Sequence, residues 1–366
     1  MKGFLLVSLM LTLTSTFCYA QTTDDEKYEQ ANKYYDAKEF GKAIPILKEL
    51  ATKDHAKALN LLGMCYKYGR GVPKDVIKKM ELYQRSANLG YAVAQRNLGI
   101  SYQLGDGVEK DLDKAISCYI KAAEGNDQKA MVNLGWIYRS EEFQNIHSLE
   151  DMNSDYYYKQ AEKWFRVAAK ENNAEGLYGL ACFYLDIYPG DDIIERMKKS
   201  APFFFKAAEL NYGYAQIAVG YADMREKKYR SALEWFNKAL RNGCKKNYGL
   251  LTETWITVSK FFIDNPQYSF YWDNDCCNFN HEITEEDDYI YVGATLNSKF
   301  GFLKLSKIGK VIGKTPFIYD SFETDIVYPY YNKETRLFHV FLNGEEKTID
   351  ITGKEIIEDT VEDEDF

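Results

Sequence analysis

The sequence predicts a mainly α protein, a right-handed α-α solenoid of helical hairpins followed by a small β-rich module. Three observations carry the prediction. Leu-Gly pairs recur at Leu62-Gly63, Leu98-Gly99 and Leu134-Gly135, 36 residues apart each time. The chain holds 30 Tyr and 21 Phe against 7 Pro, as expected of stacked helices whose gaps are filled by flat rings. Beyond about Tyr268 the helical period gives way to short β-branched and aromatic runs punctuated by Asn, Gly and Asp.

Taken in order, residues 1–20 read as a secretory signal. Lys2 supplies a positive start, Phe4 to Leu13 an apolar run, and Cys18-Tyr19-Ala20 small residues at the −3 and −1 positions of a cut before Gln21. The run is too short to span a bilayer. A lipoprotein reading would acylate Cys18, but bulky Phe17 stands where a small residue is expected. Residues 21–55 (KYEQANKYYDAKEFGKAIPILKELATKD over 27–54) pattern as one helical hairpin.

Residues 56–247 hold the repeats. ALNLLGMCYKYGRGVPKD (58–75) lies over AQRNLGISYQLGDGVEKD (94–111) almost residue for residue. Each unit has Leu-Gly, a Tyr three residues later (Tyr66, Tyr102, Tyr138), and a second helix ending in a small pair such as Ala122-Ala123, Ala168-Ala169 or Ala207-Ala208. Leu98, Ser101 and Tyr102 form one buried stripe, and Gly99 lets a neighbouring helix approach closely. GDGV at 105–108 has the look of a phosphate cradle or calcium loop. Its counterpart is GRGV at 69–72, and a ligand loop would hardly exchange Asp106 for Arg70. The glycines instead end the first helix in the left-handed region, Asp75 and Asp111 cap the second, and Asp106→Ala is expected to leave any cation affinity and ligand binding unchanged.

These motifs resemble the Sel1-like repeat, a branch of the tetratricopeptide superfamily, in units 56–91 and 92–127. Unit 128–173 keeps NLGWIY and AEKWFRVAA around an insertion from Ser140 to Asp155. Unit 174–212 keeps LACFY and FFFKAAELN with an altered loop through Pro189 and Gly190. Residues 213–247 and 27–54 resemble plainer tetratricopeptide hairpins. Some family members bridge the two helices of a repeat with a disulfide, but no unit here contains two cysteines. The resemblance implies an adaptor or assembly role.

Residues 248–267 are expected to be a capping helix and linker, and the break near Asn265-Pro266 predicts that residues 21–265 fold alone. In 268–357, NSKFGFLKLSKIGKVI (297–312) and NGEEKTIDITGKEI (343–356) echo one another around PFIYDSF (316–322). That order resembles the WG β-repeat, with Phe300-Gly301 in place of Trp-Gly. Residues 358–366 read as a solvated acidic tail.

The formal net charge of −9 argues against a nucleic-acid partner, because counterion release needs a basic face. It argues equally against attraction to an anionic membrane, and no later run is long and apolar enough for membrane insertion. Six cysteines remain after the signal: Cys65, Cys118, Cys182, Cys244, Cys276 and Cys277. The first four lie in helical patterns, where buried thiols are expected. No HExxH, GxSxG or GxxxxGK[ST] frame occurs, and no cofactor is expected. One cluster, Asp273, Asp275, Cys276, Cys277 and His281, places hard and soft ligands within a short span. It lacks a second cysteine pair for zinc, so a linker or disulfide role competes with metal binding.

A surface is what remains. Residues two after each Leu should face the concave groove: Met64, Ile100, Trp136, Cys182 and Tyr221. Four residues earlier stand Asn60, Arg96, Val132, Tyr178 and Ile217. One turn later come Lys67, Gln103, Arg139, Leu185 and Met224. Asn60, Met64, Arg96, Ile100, Trp136, Arg139, Tyr178 and Tyr221 are the candidate partner-binding residues, with packing between repeats as the competing role for the aromatics. The expectation is a non-enzymatic, exported scaffold for a protein or peptide. A cell-wall enzyme centred on Asp273 to His281 and a structural spacer are the alternatives, and a bacterial envelope or a eukaryotic secretory lumen the compartments.

Overall fold

The structure is a computed structural model that describes residues 23–140, 143, 154–170, 172–186, 193–247, 250–270, 283–285, 289–296, 299–314, 330–332, 337–342 and 345–350. The proposed signal, the Asp273 to His281 cluster, most of the insertion in the third repeat and the acidic tail lie outside these residues. The chain divides into two compact units, Met1–Glu171 and Asn172–Phe366.

The first unit is a run of antiparallel helical hairpins. Helices α1 (23–36) and α2 (Phe40–Thr52) precede α3 (Ala56–Tyr68) and α4 (Val76–Asn88). Next come α5 (Ala92–Leu104) with α6 (Leu112–Glu124), and α7 (Gln128–Arg139) with α8 (Ser154–Ala169). The Leu-Gly glycines explain the close pairing. A Cβ on Gly63 would stand 2.6 Å from the Tyr83 ring, on Gly99 2.6 Å from Tyr119, and on Gly135 2.5 Å from Phe165. Each first helix therefore presses bare backbone onto an aromatic of its partner.

Helix ends follow from local chemistry. Gly69 and Gly105 terminate α3 and α5, both at φ +69°, where a Cβ would be strained. Asp75 accepts from the N–H groups of Ile77 and Lys78, and Asp111 from that of Lys114, so both cap as expected. The turns between hairpins share one left-handed residue each: Asp54, Gly90, Asn126, Asn172, Asn211 and Gly243.

The second unit contains α9 (Ala174–Asp186) with α10 (Ile193–Glu209), and α11 (Gly213–Arg225) with α12 (Tyr229–Arg241). A Cβ on Gly220 would lie 2.7 Å from Phe236, repeating the same device. Strands β1 (Lys246–Asn247) and β2 (Leu250–Leu251) pair antiparallel ahead of α13 (Thr252–Asp264). The remaining strands are β3 (Ser269–Phe270), β4 (Ile283–Glu285), β5 (Tyr289–Leu296), β6 (Lys299–Ser306), β7 (Val311–Lys314), β8 (Tyr330–Asn332), β9 (Leu337–Leu342) and β10 (Glu345–Ile349). They form antiparallel sheets, one ordered β3-β5-β6-β7 with β4 also on β5, the other β10-β9-β8. The β5–β6 hairpin sets Val292 opposite Leu303 and Ile290 opposite Leu305.

The change of period near Asn265 is not a break in the core. Phe236 of α12, Trp255 and Phe262 of α13, Phe270 of β3, and Val292 and Leu303 of the hairpin belong to one buried cluster. The Tyr229 hydroxyl accepts from the Phe270 N–H at 3.0 Å, tying α12 to β3. Helix α13 thus packs inside a core it shares with α12 and the sheet.

Candidate protein-interaction surface

The GxGV turns join one hairpin to the one before it. Gly107 is at φ +84°, and a Cβ there would stand 3.1 Å from the Val76 carbonyl oxygen at the start of α4. Gly71 meets Phe40 in the same way, with 2.7 Å to its Cβ. The residue between the glycines reaches back as well. Asp106 takes the ammonium of Lys79, a fully buried side chain, at 2.8 Å on its carboxylate and 2.5 Å on its main-chain oxygen. Lys79 holds the Asp106 carboxyl below the usual carboxylate range, chiefly through that hydrogen bond. Arg70, the counterpart of Asp106, donates to the Tyr35 hydroxyl and lies over the Tyr35 and Tyr68 rings. Each turn residue is thus matched to its own partner on the preceding hairpin.

The concave row divides on inspection. Met64, Ile100 and Trp136 are half-buried on α3, α5 and α7. Trp136 sets its ring edge against Phe165 at 5.0 Å, with the Arg139 guanidinium 5.2 Å from the indole. Tyr178, in the second unit, is half-buried among Phe204, Tyr212 and Tyr214. Other candidates are consumed by the fold. Asn60 is buried and accepts from Asn97 at 2.8 Å. Arg96 binds both oxygens of Asp127 at 3.0 and 3.1 Å, and Asp127 also caps α7 through the Ala130 N–H.

Tyr221 corrects the assignment most clearly. It is only 5% exposed, packed edge-on against Trp255 at 5.3 Å inside the second unit's core. Val132, Ile217 and Met224 are likewise buried. On α11 the side equivalent to the predicted groove row is covered by α13 and its sheet. Gln103 accepts from the Tyr119 hydroxyl at 2.7 Å.

Burial pushes the Cys65 thiol up to about 11, and raises that of half-buried Cys118, so both stay protonated at neutral pH. Among the described residues no cluster of His, Cys, Asp and Glu could hold a metal ion, and no helix is long and apolar enough to cross a membrane.

The Sel1 repeat family matches residues 56–91, 92–127, 155–173 and 206–244; the first two hold both the glycine-on-aromatic pairing and the Asp-capped second helix. This chain carries four Sel1 repeats. A Sel1 repeat protein from Oxalobacter formigenes superposes with a TM-score of 0.51 at 26% identity, over 62% of this chain and 87% of that one. A protective antigen present in uropathogenic Escherichia coli strains, c5321, displays an SLR fold and superposes with the same score at 22% identity, over 66% of this chain and 49% of that one. A comparison with curated proteins returns no match. Sel1 repeats generally mediate protein–protein interaction.

Within the Sel1 units, two further signals are carried by the sequence. The aromatic that faces each Leu-Gly glycine stands one helical turn before the small pair that ends the second helix, as with Tyr119 before Ala122-Ala123. The left-handed residue of each inter-hairpin turn is an Asp, Asn or Gly, the types that tolerate that conformation.

Proposed function

We propose that this Sel1-like repeat protein is an exported, non-enzymatic scaffold that binds a protein or peptide partner along the Met64, Ile100 and Trp136 row, with Arg139 beside it. One observation carries the reading. These residues recur at one position of successive first helices and keep part of their surface open, while their neighbours Asn60 and Arg96 are locked into contacts that hold the row in place. A rigid row of Met, Ile and Trp gives a partner apolar anchors at little cost in ordering. Tyr178 is a separate contact on the second unit. Export is supported by Lys2 and the apolar run Phe4 to Leu13, and the strands after Tyr268 offer a second, WG-like surface.

The test combines capture and melting. Ile100→Glu puts a charge on a half-buried row position, and should abolish capture of the partner from envelope extract while moving the melting temperature little. Retained capture by both Ile100→Glu and Trp136→Ala would overturn the row. The export half is read by mass spectrometry of the secreted protein, expected to begin at Gln21; an uncleaved chain would sink it.

A further inference from the structure

A groove unrelated to the concave row runs between α2 and α4, over α3, with a volume of about 290 Å³. Its floor is apolar, made by Ala51, Leu62, Leu82 and half-buried Tyr66. Leu62 and Tyr66 lie across α3 from Asn60 and Met64, since two residues advance about 200° around a helix. The walls carry Lys48, Lys78 and Arg85 against a single acid, Glu81.

The charges there are unusual for this molecule. The repeat 56–91 holds seven basic and two acidic residues, in a chain whose net charge is −9. The next repeat, 92–127, holds four basic and six acidic. Arg85 is partnered by Asp54 at 2.6 Å, and Lys78 by Asp75 at 3.6 Å with its ammonium 5.4 Å from the Tyr66 ring. Lys48 is exposed, with no ion pair among the described residues.

The neighbouring repeats show what such a floor accepts. One repeat on, Lys114 stands 5.7 Å from Tyr102, the counterpart of Tyr66, but Gln84 replaces Lys48 and is bound to Asn88 at 2.9 Å. In the third repeat the counterpart is Tyr138, and the chain covers it with Phe143, edge-on at 5.6 Å and also against Tyr157 at 5.4 Å. The protein itself thus lays an apolar ring on this tyrosine where an insertion provides one.

We propose that the groove between α2 and α4 is a docking site for an acidic peptide segment carrying a bulky apolar residue. The apolar side chain would rest on Tyr66, Leu62 and Leu82, and flanking carboxylates would meet Lys48, Lys78 and Arg85. Lys48 draws the acidic partner, since its charge is not neutralised within the fold. The partner is distinct from whatever engages the Trp136 row, and either surface can fail without the other.

The probe is a fluorescein-labelled octapeptide of glutamates around two phenylalanines, titrated against the full chain by fluorescence anisotropy. Binding should weaken about fivefold to tenfold in Lys48→Glu, as expected for reversing one partly exposed contact charge. Lys74→Glu makes the same charge change on an exposed residue of the same repeat outside the groove, and should stay within about twofold. Replacing both phenylalanines by serine should also weaken binding, and Trp136→Ala should not. No binding to the parent chain, equal losses from Lys48→Glu and Lys74→Glu, or indifference to the phenylalanines would each overturn the site. So would tighter binding of a single-stranded oligonucleotide of equal charge, which would make the repeat a general polyanion surface.

Discussion

Asp106→Ala tests how the repeats are joined. The change leaves the fully buried Lys79 ammonium, now 2.8 Å from a carboxylate oxygen, with only the main-chain oxygen at 2.5 Å. Breaking a fully buried ion pair from one side costs about 3–5 kcal/mol. The Asp106 side chain is 34% exposed, so water can partly replace it, and roughly 1.5–3 kcal/mol is the expected loss. For a unit of this size that lowers the melting temperature by about 3–12 °C. Pairing the change with Lys79→Met should restore most of the loss, because the uncompensated charge is gone and its stem is replaced by apolar volume. Acid should erase the difference. The Asp106 carboxyl is held below its usual value in the fold, so its contribution is present above the unfolded value near 4 and disappears as pH falls through the lower, folded value. Melts of parent, single and double variants between neutral pH and pH ~3 therefore check sign as well as size. A single variant as stable as the parent at neutral pH, or a double variant no better than the single, would refute the reasoning.

Three further outcomes follow from the same contacts. Gly99→Ala should destabilise by about 1–3 kcal/mol despite the better helix former, because its Cβ would stand 2.6 Å from the Tyr119 ring; a raised melting temperature would contradict that packing. Arg96→Ala should lower the melting temperature, since it strips Asp127, whose side chain is 8% exposed, of its cation; lost binding with an unchanged melt would return Arg96 to the partner surface. Cutting after Asn265 should yield a fragment that aggregates or binds apolar dyes, because Phe270, Val292 and Leu303 each withdraw about 1.5–3 kcal/mol of burial from the α13 side of the core. A monomeric 21–265 fragment melting with the full chain would show that the sheet adds nothing to it.

The hairpin period, the glycine ends of α3 and α5, and the Asp75 and Asp111 caps were legible because each rests on residues within a few positions of one another. Leu98-Gly99 and Ala122-Ala123 set the helix faces, and elementary helix geometry does the rest. Partners between repeats were not legible. The swap of Asp106 for Arg70 reads along the chain as tolerance, yet each has its own match, Lys79 or Tyr35, on the preceding hairpin. The concave row shows the same limit. Periodicity put Trp136 and Tyr221 at equivalent positions, and nothing local separates them. Tyr221 is buried because α13, more than thirty residues on, lays Trp255 against it. Local sequence determined which face each helix would present, and tertiary packing decided which faces stay open, because burial depends on what the rest of the chain brings against them.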